Sequence, residues 1–81
     1  MRKFWIAFCN DGVTLTGIER ATKAEAIKDC KEAFKNDPSG DYYIEQYEEL
    51  EGLSIVTDMH LLKMTMGKNG SVHCERKDGA Q

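Results

Sequence analysis

Apolar residues recur at three- and four-residue spacing between Thr22 and Phe34, which predicts one amphipathic helix. Thr22 and Glu25 form the T-x-x-E pattern of a capping box, so the helix is expected to begin at Thr22. Asn36-Asp37-Pro38 is expected to end it, because the residue before a proline is disfavoured in helical geometry.

Alternating patterns on both sides of this helix predict strands. Lys3 to Cys9 has aromatic residues on both faces, as a central strand does, and the Asp11-Gly12 turn returns the chain along Val13, Leu15 and Ile18, with a bulge expected at Gly17. These two segments are predicted to form a hairpin that leads directly into the helix.

The segment from Tyr42 to Gly52 has two interpretations. Tyr-Tyr-Ile is rich in strand-forming residues, which favours a strand running to about Glu48. A helix capped by Asp41 and stopped by Gly52 is the alternative.

The remaining pattern predicts a second hairpin. The chain from Leu53 to Thr57 is apolar and β-branched, Asp58 is a candidate bend, and alternation continues to Met66. Asn69-Gly70 then marks a turn before a strand at 71–75, and 77–81 is expected to be a frayed tail.

Together these elements predict a single α+β domain spanning residues 1–81 in the order β-β-α-β-β-β. It should be a two-layer sandwich in which one helix covers one face of an antiparallel sheet of four to five strands. The predicted core consists of the positions that strand or helix periodicity places on the inward face of each element. They are Phe4, Ile6, Phe8, Leu15, Ile27, Cys30, Phe34, Ile44 and Leu62.

A lone helix leaves the other sheet face uncovered, and this face is expected to contact a partner or a second copy of the chain. The residues assigned to that contact are Trp5, Met64 and Met66. A symmetric homodimer burying the face is the simplest arrangement.

Composition restricts the function further. The chain has 81 residues and a net charge of −3, which argues against direct nucleic-acid binding, and no apolar run is long enough to span a membrane. The basic N-terminus lacks a cleavage site for secretion, so a cytoplasmic location is expected. Three cysteines without C-x-x-C spacing predict buried or half-buried thiols rather than disulfides.

No motif indicates catalysis or a cofactor. His73 and Cys74 are adjacent and would point to opposite faces of a strand, so they do not predict a metal site. The turn at 67–70 lacks the P-loop pattern. We therefore assign no catalytic residues, metal or cofactor and expect the protein not to be an enzyme.

The most suggestive feature is a run of carboxylates and tyrosines from Asp37 to Glu51 that contains no lysine or arginine. A solvated surface is one interpretation; a surface that binds a basic protein partner is the other. The residues assigned to partner binding are Asp41, Tyr43, Glu45, Tyr47, Glu48, Glu49 and Glu51.

Two resemblances extend these expectations. The stretch KFWIAFCNDGVTLTGIERATKAEAIKDCKEAF resembles the opening of HicB-type antitoxins, which implies a regulator that masks a small toxin. In size, charge and order of elements the whole chain is similar to small phage-encoded anti-CRISPR proteins, which implies an inhibitor of a nucleic-acid-binding complex. By that analogy Asp41, Glu45, Glu48 and Glu49 are candidate phosphate mimics.

Overall fold

A computed structural model describes residues 2–77 and has the predicted α+β architecture. One helix packs on a five-stranded antiparallel sheet with strand order β2-β1-β3-β4-β5. The elements are β1 (Arg2–Cys9), β2 (Val13–Thr14), α1 (Lys23–Asn36), β3 (Tyr42–Leu50), β4 (Leu53–Met66) and β5 (Val72–Arg76). The predicted tail at 77–81 lies outside the described residues except for Lys77.

The helix begins as its sequence predicts. The Thr22 hydroxyl accepts a hydrogen bond from the Glu25 amide, and the Glu25 carboxylate accepts one from the Thr22 amide, which completes the capping box. Its sheet-facing side buries Ala26, Cys30 and Phe34. The predicted apolar stripe is therefore the side of the helix that packs on the sheet.

The segment from Tyr42 is a strand, which confirms the preferred interpretation over the helical one. β3 pairs with β1 on one side and β4 on the other, so it is the central strand of the sheet. The bend predicted at Asp58 is wrong. β4 runs through that residue and carries a bulge beside it, since Gln46 pairs with Asp58 whereas Tyr47 pairs with Val56 and leaves Thr57 unpaired with β3.

The second strand is shorter than predicted. β2 pairs with β1 over Val13 and Thr14, Gly17 has a φ of +71°, and the chain returns to β1 at Arg20, which exchanges backbone hydrogen bonds with Trp5. An ion pair between Arg20 and the buried Asp29 carboxylate, at 2.8 Å, joins this segment to the helix.

The core lies between the helix and one face of the sheet. Ile44 and Cys30 are fully buried at its centre, and Trp5 and Ala7 supply the part from β1. Six predicted core residues are confirmed in this cluster or packed against it: Leu15, Ile27, Cys30, Phe34, Ile44 and Leu62.

Phe4 and Phe8 are buried, as predicted for core residues, but the prediction that they and Ile6 lie on the helix side of the sheet is wrong. Side chains alternate along a strand, so the burial of Trp5 and Ala7 beneath the helix places these three on the opposite face. We call the face opposite the helix the open face.

Candidate protein-binding face

Two stacked aromatic pairs form the frame of the open face. Phe4 stacks on Tyr47 with ring centroids 5.4 Å apart, and Phe8 stacks on Tyr43 at 5.2 Å. Each pair joins directly opposed residues of β1 and β3. The phenylalanines are only 5% and 8% exposed although no helix covers them, because the tyrosine rings shield them.

A row of three side chains crosses the sheet between these stacks. Glu45 of β3 lies opposite Ile6 of β1 and Met59 of β4. Ile6 and Glu45 are half-buried, while Met59 is 40% exposed. A carboxylate therefore occupies the centre of a largely apolar face.

The Glu45 carboxylate is held by Tyr47. The Tyr47 hydroxyl donates a 2.6 Å hydrogen bond to Glu45 Oε1, and Glu45 forms no ion pair with any residue in the range 2–77. Burial, together with this bond to a carboxylate, raises the pKa of Tyr47 to about 12. The carboxylate is thus oriented by a neutral donor and remains available to a cation from outside.

One end of the open face is closed by Arg2. Its guanidinium lies 4.5 Å from the centroid of the Phe4 ring and forms ion pairs with Glu49, at 2.8 Å, and with Glu19. The hydrogen bond from Arg2 lowers the pKa of Glu19, and the carboxylates raise the pKa of Arg2. The charge of Glu49 is therefore largely compensated within the chain.

The structure divides the predicted partner-binding set. Tyr43, Glu45, Tyr47 and Glu49 share the open face, because they alternate along β3. Glu48 lies on the other face, with its carboxylate 3.9 Å from the Lys3 ammonium.

The two remaining members of the set lie at the ends of β3. Asp41 precedes the strand, and its amide donates to the Asn10 side chain. Glu51 lies in the turn after the strand. The acidic run is consequently not one surface.

The residues assigned to the uncovered sheet face are wrongly placed. Trp5 is 9% exposed and belongs to the core beneath the helix, where its ring makes an edge-to-face contact with His60 at 5.6 Å. Met64 packs against the same core, and Met66 shares its face by alternation. In β1 the period was predicted correctly but the side that the helix covers was inverted, whereas Ile44 of β3 and Leu62 of β4 face the helix as predicted.

Sequence reasoning missed Arg2, Glu19 and Met59 as parts of the open face. Arg2 and Met59 could have been found by pairing the predicted strands, because each then lies opposite a residue on the same face of β3 as Tyr43, Glu45 and Tyr47. Glu19 has none, because it lies outside any strand and reaches Arg2 through the tertiary fold.

The candidate metal and nucleophile residues are dispersed. Residues 2–77 contain no group of three or more His, Cys, Asp or Glu side chains arranged to hold a metal ion. His60 is buried and hydrogen-bonded to Asp58 at 2.9 Å, and this bond lowers the pKa of Asp58. All three cysteines are free thiols, as predicted, and burial raises the pKa of Cys30 to about 12, which suppresses its reactivity.

Comparison of this chain with protein-family models, curated proteins and solved structures found no match. Within residues 2–77, α1 falls short of the length and apolar character that a membrane-crossing helix requires. The fold and the open face accordingly define a class, a small α+β protein with an aromatic sheet face that no helix covers and that surrounds one carboxylate.

Proposed function

We propose that this protein is a non-catalytic inhibitor or adaptor that binds the basic surface of another protein through the open face. The observation that carries the proposal is the Glu45 carboxylate, which is central, oriented by Tyr47 and without a cationic partner within residues 2–77. A partly buried carboxylate of this kind gains most from a cation supplied by a partner.

The surroundings of Glu45 have the composition of an interface centre. Tyrosine and methionine are enriched in protein interfaces, and Tyr43 and Tyr47 are held rigid by stacking, so little side-chain entropy is lost on binding. Met59 adds an adaptable apolar contact beside the carboxylate. An arginine or lysine inserted between the two aromatic stacks would meet the carboxylate and pack its aliphatic stem beside the tyrosine rings.

Net charge favours a basic partner as well. The chain carries a net charge of −3, and the four side chains that β3 supplies to the open face include two carboxylates, of which Glu49 is paired with Arg2 and Glu45 is not. Such a surface accelerates encounter with a positively charged protein. A nucleic-acid-binding protein is the natural class of target, which agrees with the resemblance to anti-CRISPR inhibitors.

The proposed recognition differs from a row of phosphate mimics. Glu48 and Glu49 are compensated by Lys3 and Arg2, and Glu48 faces away from the open face. We therefore expect a single charged contact at Glu45, surrounded by aromatic packing, to dominate the affinity.

The test compares two charge reversals on the same strand. Immobilised wild-type protein, Glu45→Lys and Glu48→Lys are exposed to lysate of the source cells, and a stoichiometric partner is then purified and titrated by calorimetry. Glu45→Lys should abolish capture and weaken binding at least 100-fold, because it places a cation against a basic surface, whereas Glu48→Lys should bind like wild type. Affinity should fall as salt rises.

Equal affinity of the two variants would refute this use of the open face. A partner with no basic surface would refute the proposed class of target. A small toxin as the stoichiometric partner would instead identify the chain as an antitoxin-like regulator.

A further inference from the structure

The hairpin formed by β3 and β4 extends beyond β5 along β4, and its tip at residues 50–53 extends beyond Arg2, where the pairing of β1 with β3 ends within residues 2–77. We call residues 48–57 the arm. On the outer side of β4, β5 pairs only with Leu62–Met66, and the Lys77 amide adds one bond to the Leu61 carbonyl. From Leu53 to Asp58, no strand within residues 2–77 pairs with this outer edge.

The arm also carries four exposed apolar side chains, among them the two most exposed of the sheet, Leu53 and Ile55. Leu50, Leu53 and Ile55 share the helix-side face beyond the end of the helix and are 59%, 73% and 62% exposed, and Val56 on the other face is 50% exposed. With Glu48, the first three line a shallow pocket. This concentration of exposed apolar surface at one end of a small protein indicates an interface.

The edge lacks the charges and the proline that commonly prevent strands from pairing, and the bulge at Thr57, which is a protective feature, lies at the end of the segment. Edge strands are usually short, charged, or interrupted by proline, yet residues 53–57 contain no charge and no proline and include three β-branched residues. The bulge at Thr57 ends the regular stretch. Pairing is therefore favoured over five residues and limited to them.

The hairpin turn determines which backbone groups point outward. Glu51 and Gly52 have φ values of +52° and +82°, as in a type I′ turn, so Leu50 and Leu53 form the hydrogen-bonded pair that closes the hairpin. Because bonding direction alternates along a strand, Ser54 and Val56 direct their amides and carbonyls away from β3. These groups are available to another strand.

The same geometry is self-complementary. If two copies pair antiparallel about a two-fold axis at Ile55, Ser54 of each copy lies opposite Val56 of the other, and both residues have outward backbone groups. The two Ile55 side chains then meet as a non-hydrogen-bonded pair, the closer of the two antiparallel spacings. Leu53 lies opposite Thr57. Because none of the five residues is charged, no like charges oppose each other across the pairing.

We propose that a second copy of this chain occupies the β4 edge and forms a homodimer by antiparallel pairing of residues 53–57. The dimer joins two five-stranded sheets into one of ten strands. Its two-fold axis is perpendicular to the sheet, so both open faces lie on the same side and the dimer is bivalent. The proposal does not depend on the function proposed for the open face.

The dimer should be weak and strengthened by salt. Five residues of edge and a few apolar side chains per copy bury less than the roughly 1,600 Å² of a standard interface, so association should depend on concentration. Each copy has a net charge of −3, so screening should promote dimerisation. This salt dependence is opposite to that expected for binding a basic partner at the open face.

Sedimentation of the full chain over a dilution series tests the proposal. The average mass should rise from that of the 9.2 kDa monomer towards twice that value with increasing concentration and salt. Ile55→Lys should hold the protein monomeric throughout. Val13→Lys, at an equally exposed apolar residue of the opposite edge strand, should dimerise like wild type.

Cross-linking tests the register independently. Under mild oxidation Ile55→Cys should form a disulfide dimer, because its Cβ atoms meet at the axis, while Leu53→Cys should form several-fold less. A monomer at all concentrations, or dimerisation unaffected by Ile55→Lys, would overturn the proposal. Circular dichroism of each variant verifies that it is folded.

Discussion

At the scale of single residues, Tyr47 connects packing with electrostatics on the open face. Its ring shields Phe4, and its hydroxyl orients the Glu45 carboxylate at 2.6 Å. Ionisation of Tyr47 would place two negative charges side by side in a partly buried position, so the folded state keeps the phenol neutral to a higher pH than the unfolded state.

This coupling predicts a loss of stability in alkali. The unfolded chain releases the Tyr47 proton near the ordinary pKa of about 10, whereas the folded chain retains it to about 12, so the stabilisation present below pH 10 is lost between those values. Denaturant titrations at successive pH values should show the free energy of unfolding falling more steeply for wild type than for Tyr47→Phe. Tyr42, Tyr43, Cys30 and Cys74, whose pKa values are also raised, contribute to the fall that remains. Identical slopes would contradict the role of Tyr47.

At the scale of elements, the helix can be predicted from local sequence signals, whereas the full length of β4 cannot. The Thr22 and Glu25 cap and the stripe of Ala26, Cys30 and Phe34 are local signals, and local hydrogen bonds satisfy them. The continuity of β4 depends instead on β3, which pairs with it on both sides of the bulge at Thr57. In the sequence alone Asp58 suggests a bend, because aspartate is uncommon in strands and the pairing with β3 that continues the strand is not visible.

Docking of the helix is tested by Phe34→Ala. Phe34 is 7% exposed and contacts the Tyr42 ring edge-to-face at 6.2 Å, so removing its ring should lower the free energy of unfolding by about 3–5 kcal/mol. Val13→Ala, at a site 59% exposed, should change it by less than about 0.5 kcal/mol. Chemical denaturation measures both, and similar values for the two variants would mean that the helix is docked by other contacts.

At the scale of the whole molecule, the lengths of the elements decide which surfaces remain uncovered. Fourteen helical residues span about 21 Å. Fourteen strand residues in β4 span about 46 Å, which matches the 46 Å long axis of the domain. The helix is therefore less than half as long as the longest strand, and it leaves both the arm and the open face uncovered.

The fluorescence of Trp5 tests which face the helix covers. Trp5 lies beneath the helix against His60, so its emission should be that of a buried indole, protected from soluble quenchers at every protein concentration. A Trp5→Phe, Val13→Trp double variant supplies the exposed reference. Emission from Trp5 like that of the reference, or protection that appears only on association, would contradict the assignment.

The sequence by itself determined the elements of this protein. Capping at Thr22, the turns at Gly12 and Gly70, and the period of each strand depend on neighbours within a few residues, and the α+β order follows from them. The sequence also predicted that Tyr43, Glu45 and Tyr47 share one face of β3, because alternation along one strand is a local property.

Only the tertiary structure decided what lies on each side of the sheet. Alternation divides Phe4, Ile6 and Phe8 from Trp5 and Ala7, but both sets are apolar, so nothing local indicates which set the helix will bury. The pairing of Arg2 and Lys3 with Glu49 and Glu48 likewise arises from the register of β1 on β3, across more than forty residues of chain. Register and the choice of covered face are set by packing over the whole sheet, which no single segment of the sequence records.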